Sequence, residues 1–424
     1  MAASDAPRIQ TAQRNQLEMR TVDLDATIRP DHAARLIWAV VERLDLAAFY
    51  GEIRARGAVP GRPAIDPKLL LALWLYATTD GVGSGRELER LCTQADPYRW
   101  LCGGVPVNYH SLNDFRVEHG EKLDDLMTQV LGALTHQGLV RLERVAQDGM
   151  RVRADAGAAS FRREPTLHEH QQAAQAQVQR LRAALVEDPA GKQRLEHAAQ
   201  ARAAADRVAR LERALAEMPK VVAVKRRHRA RKDKQPSVPR VSTTDPESRV
   251  MKMPDGGYRP AYNVQLATDA DSRVIVGVRV VNIGSDTAQL TPMLDDIERR
   301  TGRLPCEHLV DGGFVNLDAF GDAEARGVTI YAPAKKPAKP RAPGAYTSRP
   351  DSPAVARWRR RMEHPDAKAI YKHRAATAET TNADLRRWRT LDRCPVRGQA
   401  KVHCHVLLNA LAHNIMRWQA PLAT

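Results

Sequence analysis

The chain has 424 residues, of which 43% are hydrophobic and 27% charged, as in ordinary soluble proteins with a sizeable core and two or three domains. It carries 66 Lys and Arg against 50 Asp and Glu, a net charge of +16, which favours a polyanionic partner such as nucleic acid. The composition is also rich in Arg and Ala, which leaves open a basic protein without such a partner. The longest apolar stretch, Leu69 to Ala77, is too short to span a bilayer, so we expect no membrane association.

The cysteines and the N-terminus bear on the cellular compartment. The five cysteines are odd in number and scattered, which argues against a disulfide framework. The first residues contain no apolar core of a secretory signal. We therefore expect a cytoplasmic protein. The sequence contains no GxxxxGK[ST] loop, which argues against chemistry driven by nucleotide hydrolysis.

Residues 1 to about 140 predict an all-helical N-terminal domain. Apolar residues follow helical spacing after Asp31, and Asp66 with Pro67 marks the start of an apolar, buried helix. Shorter helices are predicted at Gly85–Cys92, Asp96–Leu101 and Ser111–His119, followed by a longer one at about Glu121–His136. Two short helices joined by a turn are compatible with a helix-turn-helix in a DNA groove, and equally with plain helix packing.

The pattern changes at Arg141. Residues 144–154 read as a strand around Asp148, and residues 141–164 are assigned to the first strand region of a second domain. From 165 to 218 the chain is rich in Ala, Gln, Arg and Glu, with apolar residues at 3-4 spacing on both sides of a break at Asp188–Gly191. These features predict an antiparallel helical hairpin inserted into that domain. The basic stretch that follows, to about residue 240, predicts a linker that is disordered when free, either solvated or in contact with phosphate.

Strand and helix patterns alternate through residues 241–424. The predicted elements are a hairpin of strands Ala261–Thr268 and Val274–Val281, helix Thr287–Arg300 capped by Asp286 and ended by Gly302, strand His308–Asp311, helix Asn316–Arg326, strand Val328–Ala332, a Pro/Lys/Arg-rich loop at about 333–353, and helices at about Pro353–Met362, Ala367–Trp388 and Lys401–Trp418. Without the insertion, the order is three strands, helix, strand, helix, strand, helix. That order predicts an RNase H-like α/β fold, a mixed sheet with helices on both faces.

Three acids fall on elements that this fold would bring together. Asp148 lies in the first strand beside Gly149, Asp311 ends the fourth strand in HLVDGGF, and Glu379 lies within the helix YKHRAATAETTNADLRRW. Phosphodiester chemistry is well served by two Mg²⁺ ions about 3.5–4 Å apart, and carboxylates are their natural ligands. Each acid alone is compatible with an ordinary surface residue, but their joint placement predicts a two-metal site.

Two other groups of polar residues have competing interpretations. A zinc site is conceivable from Cys394, His403, Cys404 and His405. Their spacing lacks a CxxC or HxxxH pair, and adjacent side chains on a helix diverge, so core or surface roles are favoured. Asp155 and Asp245 could support the predicted metal site, although capping and turn roles are favoured for both.

Five stretches, in this order, resemble the DDE transposases of bacterial insertion sequences: VAQDGMRVRADA, STTDPESRVMKMPDGGYRPAYNVQLATD, HLVDGGF, YKHRAATAE and RGQAKVHCHVLLNALAHNIMR. The branch they resemble has a helical N-terminal module with a segment like SLNDFRVEH and a helical insertion after the first Asp. The resemblance covers about residues 20–420. It implies that Asp148, Asp311 and Glu379 bind two Mg²⁺ or Mn²⁺ ions.

The resemblance also implies DNA contacts on the helix of Glu379. Tyr371, Arg374, Glu379 and Arg386 match the family's Tyr-Arg-Glu-Lys signature, with two departures. Four residues rather than the usual three separate Arg374 from Glu379, which would rotate Arg374 off the Glu379 face of a regular helix and puts its role in doubt. Arg386 stands where Lys is usual, shares the face of Glu379, and is equally suited to phosphate.

The implied activity is metal-dependent cleavage by water at the ends of the element, followed by attack of the freed 3′-hydroxyl on target DNA. The N-terminal helices would help to recognise the terminal inverted repeats of double-stranded DNA, and a homodimer would handle the two ends together. Three alternatives are open. The chain could be a repressor derived from an inactive transposase, an RNase H-like nuclease that does not join strands, or a coiled-coil partner protein built around residues 165–218.

Overall fold

The computed structural model describes residues 21–55, 63–187, 194–232, 238–334 and 351–418. The predicted break at 188–191 and most of the predicted loop at 333–353 lie outside these residues. The described chain is a mixed α/β structure with one large mixed sheet and many helices. The described residues contain no helix that is both long and apolar enough to cross a membrane.

Helices alone precede the first long strand. The described residues there form α1 (Ala33–Arg43), α2 (Ala47–Gly51), α3 (Pro67–Thr79), α4 (Gly85–Gln94), α5 (Asp96–Cys102), α6 (Tyr109–Glu118) and α7 (Gly120–His136). The predicted start of α3 is confirmed, because the Asp66 side chain accepts a hydrogen bond from the Lys68 backbone N–H and Pro67 occupies the first turn. Residues 69–78 of α3 are all buried, as expected for a helix that is apolar on every side.

Strands are concentrated in the middle of the chain. They are β1 (Arg144–Arg153), β2 (Phe161–Arg162), β3 (Val241–Ser242), β4 (Arg249–Lys252), β5 (Tyr258–Asp269), β6 (Ile275–Val281), β7 (Glu307–Leu309) and β8 (Thr329–Tyr331). The large sheet has the order β4-β5-β1-β7-β8, with β6 also paired to β5, while β2 and β3 form a separate pair. The β1–β5, β4–β5 and β5–β6 pairs are antiparallel, and the β1–β7 and β7–β8 pairs are parallel.

Two long helices follow β2, where the helical hairpin is predicted: α8 (Glu164–Glu187) and α9 (Arg194–Lys232). They pack against each other around a small core that includes Leu167, Ala174, Leu211, Met218 and Val221, together with Val241 of β3. The prediction of a disordered linker after residue 218 is wrong for the described part of that stretch, because α9 continues to Lys232. Buried Met218 and Val221 hold it to the hairpin, and its Lys, Arg and Ala residues have high helix propensity.

The remaining helices are α10 (Leu290–Thr301), α11 (Leu317–Ala325), α12 (Pro353–Glu363), α13 (Pro365–Arg374), α14 (Thr380–Trp388) and α15 (Gln399–Arg417). A five-residue π-helix, Ala375–Glu379, joins α13 to α14. Gly302 ends α10 in the left-handed conformation (φ 71°), as predicted. Asp286 does not cap this helix. The residue at the N-cap position is Gln289, without a side-chain cap bond, and the Asp286 side chain is bound elsewhere.

Helices cover both faces of the sheet, and α10 contributes to both cores. Val145 belongs to a core that includes residues of α1, α3, α6, α7 and α15, whereas its neighbour Ala146 belongs to a core with residues of α10, α11 and α12. Successive side chains of a strand point to opposite faces, so β1 is covered on both sides. The N-terminal helices therefore share their core with the sheet, and the buried Arg300 of α10 reinforces the contact by bonding Asp124 of α7.

Candidate active site

The pairing of β1 with β7 places Asp148 and Asp311 at the same edge of the sheet. These strands are adjacent and parallel, and their last aligned pair is Ala146 with Leu309. Asp148 and Asp311 each follow that pair by two residues, so they stand level, at the same distance along two neighbouring chain segments. Neighbouring strands lie about 4.8 Å apart. The Asp311 carboxylate also accepts a hydrogen bond of 2.7 Å from the Gly313 backbone N–H, which fixes the turn after the strand.

Asp148 is a mostly buried carboxylate, with 21% of its side chain exposed. Its two oxygens accept hydrogen bonds from the Gly149 backbone N–H (2.9 Å) and from the side-chain amide of Asn382 (3.0 Å). Burial, together with the negative charges of Asp311 and Asp286, raises the pKa of Asp148 to about 6, against the opposing effect of Arg374. A cation that binds beside this carboxyl group would stabilise its ionised form.

The π-helix brings Arg374 back beside Glu379. The expectation that the extra residue turns Arg374 away is wrong, because the wider π turn takes up that residue. Nη2 of Arg374 donates a 2.8 Å hydrogen bond to Glu379 Oε1. The sequence interpretation assumed a regular helix over Ala367–Trp388, and only in a regular helix would the spacing separate these two side chains.

Arg374 lies between Asp148 and Glu379. Its Nη1 is 3.8 Å from Asp148 Oδ1, an ion-pair distance, and is buried without a hydrogen-bond partner among the described residues. Tyr371, half-buried on the same helix, contacts Arg374, and burial raises the pKa of its hydroxyl. The guanidinium thus serves as an internal counter-ion to Asp148 and Glu379.

Arg386 faces a cleft that Asp148 and Glu379 also line. The open cleft, of about 790 Å³, is lined by Asp148, Glu379, Asn382 and Arg386, and on its other side by residues 250–254 of β4 and the following turn. Nη2 of Arg386 donates a 3.3 Å hydrogen bond to the Arg151 backbone carbonyl, which directs the guanidinium towards β1. The cleft therefore presents two carboxylates and a cation to the same space.

The described residues contain no preformed metal cluster of three or more His, Cys, Asp or Glu side chains. The side chain of Glu379 is 56% exposed and bonded to Arg374 rather than gathered with the other two acids. Asp148, Asp311 and Glu379 nevertheless fit a hard divalent cation in their chemistry. All three offer oxygen donors, and the mutual repulsion of Asp148 and Asp311 is relieved by a cation between them.

Two residues near the acids were not predicted. Asn382 holds Asp148 from α14; its position three residues after Glu379, on the same helix face, was an available signal. Asp286 was read as a helix cap, and nothing in its local sequence indicates that it lies beside Gly149. Local patterns identify a helix face, but they do not reveal contacts between distant loops.

The other candidate residues have structural partners away from this cleft. Asp155 pairs with Arg393 at 2.7 Å and with Arg397 at 2.9 Å. Asp245 accepts hydrogen bonds from the Tyr262 hydroxyl (2.7 Å) and from the Gly398 backbone N–H at the start of α15. The cysteines and histidines of the conceivable zinc site form no metal-binding group in the described part of the chain. Asp155 is therefore held in ion pairs rather than in a cap or turn, whereas Asp245 bonds the N-cap residue of α15. Cys394, Cys404 and His405 are buried.

We expect Gly149→Ala to lower the free energy of unfolding by about 2 kcal/mol, because overpacking a buried site forces its neighbours to move. A Cβ atom at this position would lie 2.4 Å from both Asp286 Oδ1 and Gln265 Nε2, which are held in hydrogen bonds. Urea denaturation measures the change. The matched control is Gly312→Ala, whose Cβ meets nothing within 4 Å. Equal effects of the two substitutions would contradict the crowding at Gly149.

Two family models match the chain. The one described as Transposase DDE domain matches residues 236–415, and the one described as Transposase domain (DUF772) matches residues 22–118. The first match contains Asp311, Tyr371, Arg374, Glu379 and Arg386, whereas Asp148 lies outside both. No curated protein and no solved structure matches the chain.

Proposed function

Because the chain belongs to the DDE transposases of the insertion-sequence type, we propose that it cleaves the ends of its element and joins them to target DNA at Asp148, Asp311 and Glu379. The observation that carries this proposal is that Asp148 and Asp311 each lie two residues beyond the last aligned pair of the adjacent parallel strands β1 and β7. The helix that bears Glu379 is tied to the same place through Asn382 and Arg374. Asp148 therefore connects the other two acids in support of the proposal, with Asp311 beside it and Arg374 between it and Glu379.

The strand order supports an RNase H-like fold for the catalytic domain. In the series β6-β5-β1-β7-β8, β5 runs antiparallel to both of its neighbours, β6 and β1, and the last two strands run parallel to β1. We assign residues 141–164 and 241–424 to this domain, residues 165–240 to the insertion, and residues 1–140 to a DNA-end-recognition domain. The helices on both faces of the sheet agree with that assignment.

Asp148, Asp311 and Glu379 would hold two Mg²⁺ or Mn²⁺ ions. When bound, such ions supply positive charge at the reacting phosphate and lower the pKa of the attacking hydroxyl. Hydrolysis and strand transfer are both displacements at phosphorus, so the same three carboxylates would serve both steps. Asn382 would orient Asp148 throughout, since it bonds the carboxylate oxygen Oδ2.

Tyr371, Arg374 and Arg386 would bind the DNA backbone beside the acids. Arg386 already lines the cleft, and one buried guanidinium nitrogen of Arg374, which has no hydrogen-bond partner in the described part of the chain, would bond a phosphate oxygen. The net charge of +16 adds a long-range attraction for DNA. The terminal inverted repeats and the target are double-stranded DNA, and two ends handled together call for a homodimer on DNA.

The test is a cleavage and joining assay with DNA that carries the terminal inverted repeats of the element, in the presence of Mg²⁺. We expect the parent chain to nick the ends and to join a labelled 3′-hydroxyl end to target DNA, and Asp311→Ala to do neither. Asp366→Ala is the matched control, because this acid lies on α13 with 85% of its side chain exposed. Nicking by Asp311→Ala at the parent rate would refute the catalytic assignment.

The same assay separates the alternatives. Nicking without a joined product would identify a nuclease that does not transfer strands. Binding to the terminal DNA without any metal-dependent cleavage by the parent would identify a repressor. Weak binding with little dependence on salt would favour the coiled-coil partner protein, because DNA binding through basic residues falls steeply with salt.

A further inference from the structure

A buried network of hydrogen-bonded polar side chains lies close to Asp148 and Asp311. His308 of β7 bonds Gln147 of β1 at 3.0 Å, and the Gln147 side-chain amide donates to Gln265 of β5 at 3.0 Å. All three side chains are fully buried. Burial lowers the pKa of His308 to about 3, so the imidazole is neutral and takes part as a hydrogen-bonding group. A buried polar group without a hydrogen-bond partner costs folding free energy. This network therefore stabilises the one arrangement of the strands in which all of its partners meet.

Asp286 is the charged residue at the end of this hydrogen-bonded network. Its carboxylate accepts hydrogen bonds from Gln265 (2.6 Å), from Asn263 (2.8 Å) and from Arg151 (2.9 Å). Only 11% of the Asp286 side chain is exposed. With two amides and a guanidinium already bonded, this acid is committed to protein partners rather than presented to the cleft.

The place of Asp286 is between the backbone segments of Asp148 and Asp311. A Cβ atom on Gly149 would lie 2.4 Å from Asp286 Oδ1, and one on Gly313 would lie 3.7 Å from Oδ2. The next residue, Thr287, donates a 3.1 Å hydrogen bond to the Gly313 carbonyl. Asp286 thus touches both segments at the points where they leave the acids.

We propose that Asp286 is a positioning residue that sets the spacing of Asp148 and Asp311. The inference rests on the proposed function, since it concerns the same two acids. Gly149 and the Gly313 turn approach the carboxylate from two sides, and Arg151 holds it from below by bonding Asp286, the Gly149 carbonyl (3.1 Å) and the Gly284 carbonyl (2.8 Å). Without the carboxylate, the two segments lose their common support. Small displacements of reacting groups have large effects on rate.

The experiment compares the parent with Asp286→Asn, which keeps the size of the side chain but removes the charge that holds Arg151. We expect Mn²⁺ affinity, measured by electron paramagnetic resonance, to fall about tenfold, and kcat for cleavage of terminal DNA to fall about a hundredfold. KM for the DNA should not change, because Asp286 does not line the DNA cleft. The matched control is Asp295→Asn on α10, an acid with 60% of its side chain exposed.

A second pair of variants keeps the test decisive if Asp286→Asn folds poorly. Arg151→Met should lower Mn²⁺ affinity as Asp286→Asn does, and Arg151→Lys, which retains a cation beside Asp286, should restore most of it. A purely structural role would lower the unfolding midpoint and leave Mn²⁺ affinity and kcat of the folded protein unchanged, and that result overturns the inference alone. A parent chain that neither binds Mn²⁺ nor cleaves DNA overturns the proposed function and the inference together.

Discussion

We expect the change of Asp148 or Asp311 to Asn to lower the rate of DNA cleavage by about a thousandfold or more, while the protein still binds terminal DNA. The amide is neutral and a poorer ligand for a hard cation, so the charge that holds the ions falls while the shape of the side chain is kept. Glu379→Gln belongs to the same class. Its side chain is more exposed than that of Asp148, so its change should disturb the fold less than a change at Asp148. Single-turnover cleavage rates and fluorescence anisotropy with labelled DNA measure the two properties.

Asp366→Asn serves as the control for this series, because it removes one exposed negative charge from the helix that leads to Glu379. All variants are compared at one salt concentration, since DNA affinity depends steeply on salt. An amide variant that cleaves within about tenfold of the parent rate would show that its acid is not a ligand. Loss of DNA binding together with cleavage would instead indicate a folding defect.

We expect metal affinity to fall about tenfold for each pH unit below about 6, because a cation would bind the ionised form of Asp148 and the pKa of this acid is raised to about 6. An Asp with an ordinary pKa would leave the affinity flat down to about pH 4. Titration with Mn²⁺ between pH 4.5 and 8 measures the profile, and the cleavage rate should follow it. A profile that stays flat to pH 5 would contradict the burial and charge repulsion at Asp148.

The raised pKa of Asp148 makes metal affinity increase with pH, but it makes the stability of the metal-free protein decrease with pH. The folded protein holds the Asp148 proton more tightly than the unfolded chain, in which the pKa of this carboxyl has its ordinary value of 3.8. The free energy of unfolding therefore declines as pH rises from about 4 to about 6, by up to about 3 kcal/mol, and stays low above that. Asp148→Asn is the control, since it removes this decline. A metal-free stability that rises across this window in the parent, relative to Asp148→Asn, would contradict the raised pKa.

The predictions that local patterns made well concern single elements. The Asp66 cap of α3, the strand around Asp148, the β5–β6 hairpin and the end of α10 at Gly302 all lie where spacing and capping residues indicated. Such signals depend on residues within a few positions of each other. The disordered linker was mispredicted for a related reason: charge composition alone cannot reveal that Met218 and Val221 pack on another helix.

The predicted site shows the same division. Asp148, Asp311 and Glu379 could be chosen because the order of strands and helices assigns each an expected element. The π-helix, however, directly follows Arg374, which contacts an acid 226 positions earlier in the chain. The local sequence gives no sign of that contact, so a regular helix was the natural expectation. The network of Asp286 likewise joins a loop to strands that are far away in sequence, so its residues carry no local signature.

For this protein, the linear order of residues by itself determined most of the helices and strands, the order in which they follow one another and the element on which each of the three acids lies. Only the tertiary structure decided that Asp148 and Asp311 stand level, that Arg374 sits between Asp148 and Glu379, and that Asp286 supports the pair from below. The physical reason is range: periodicity and capping are set by neighbours along the chain, whereas strand register and buried polar networks are set by partners that meet only when the whole core has formed.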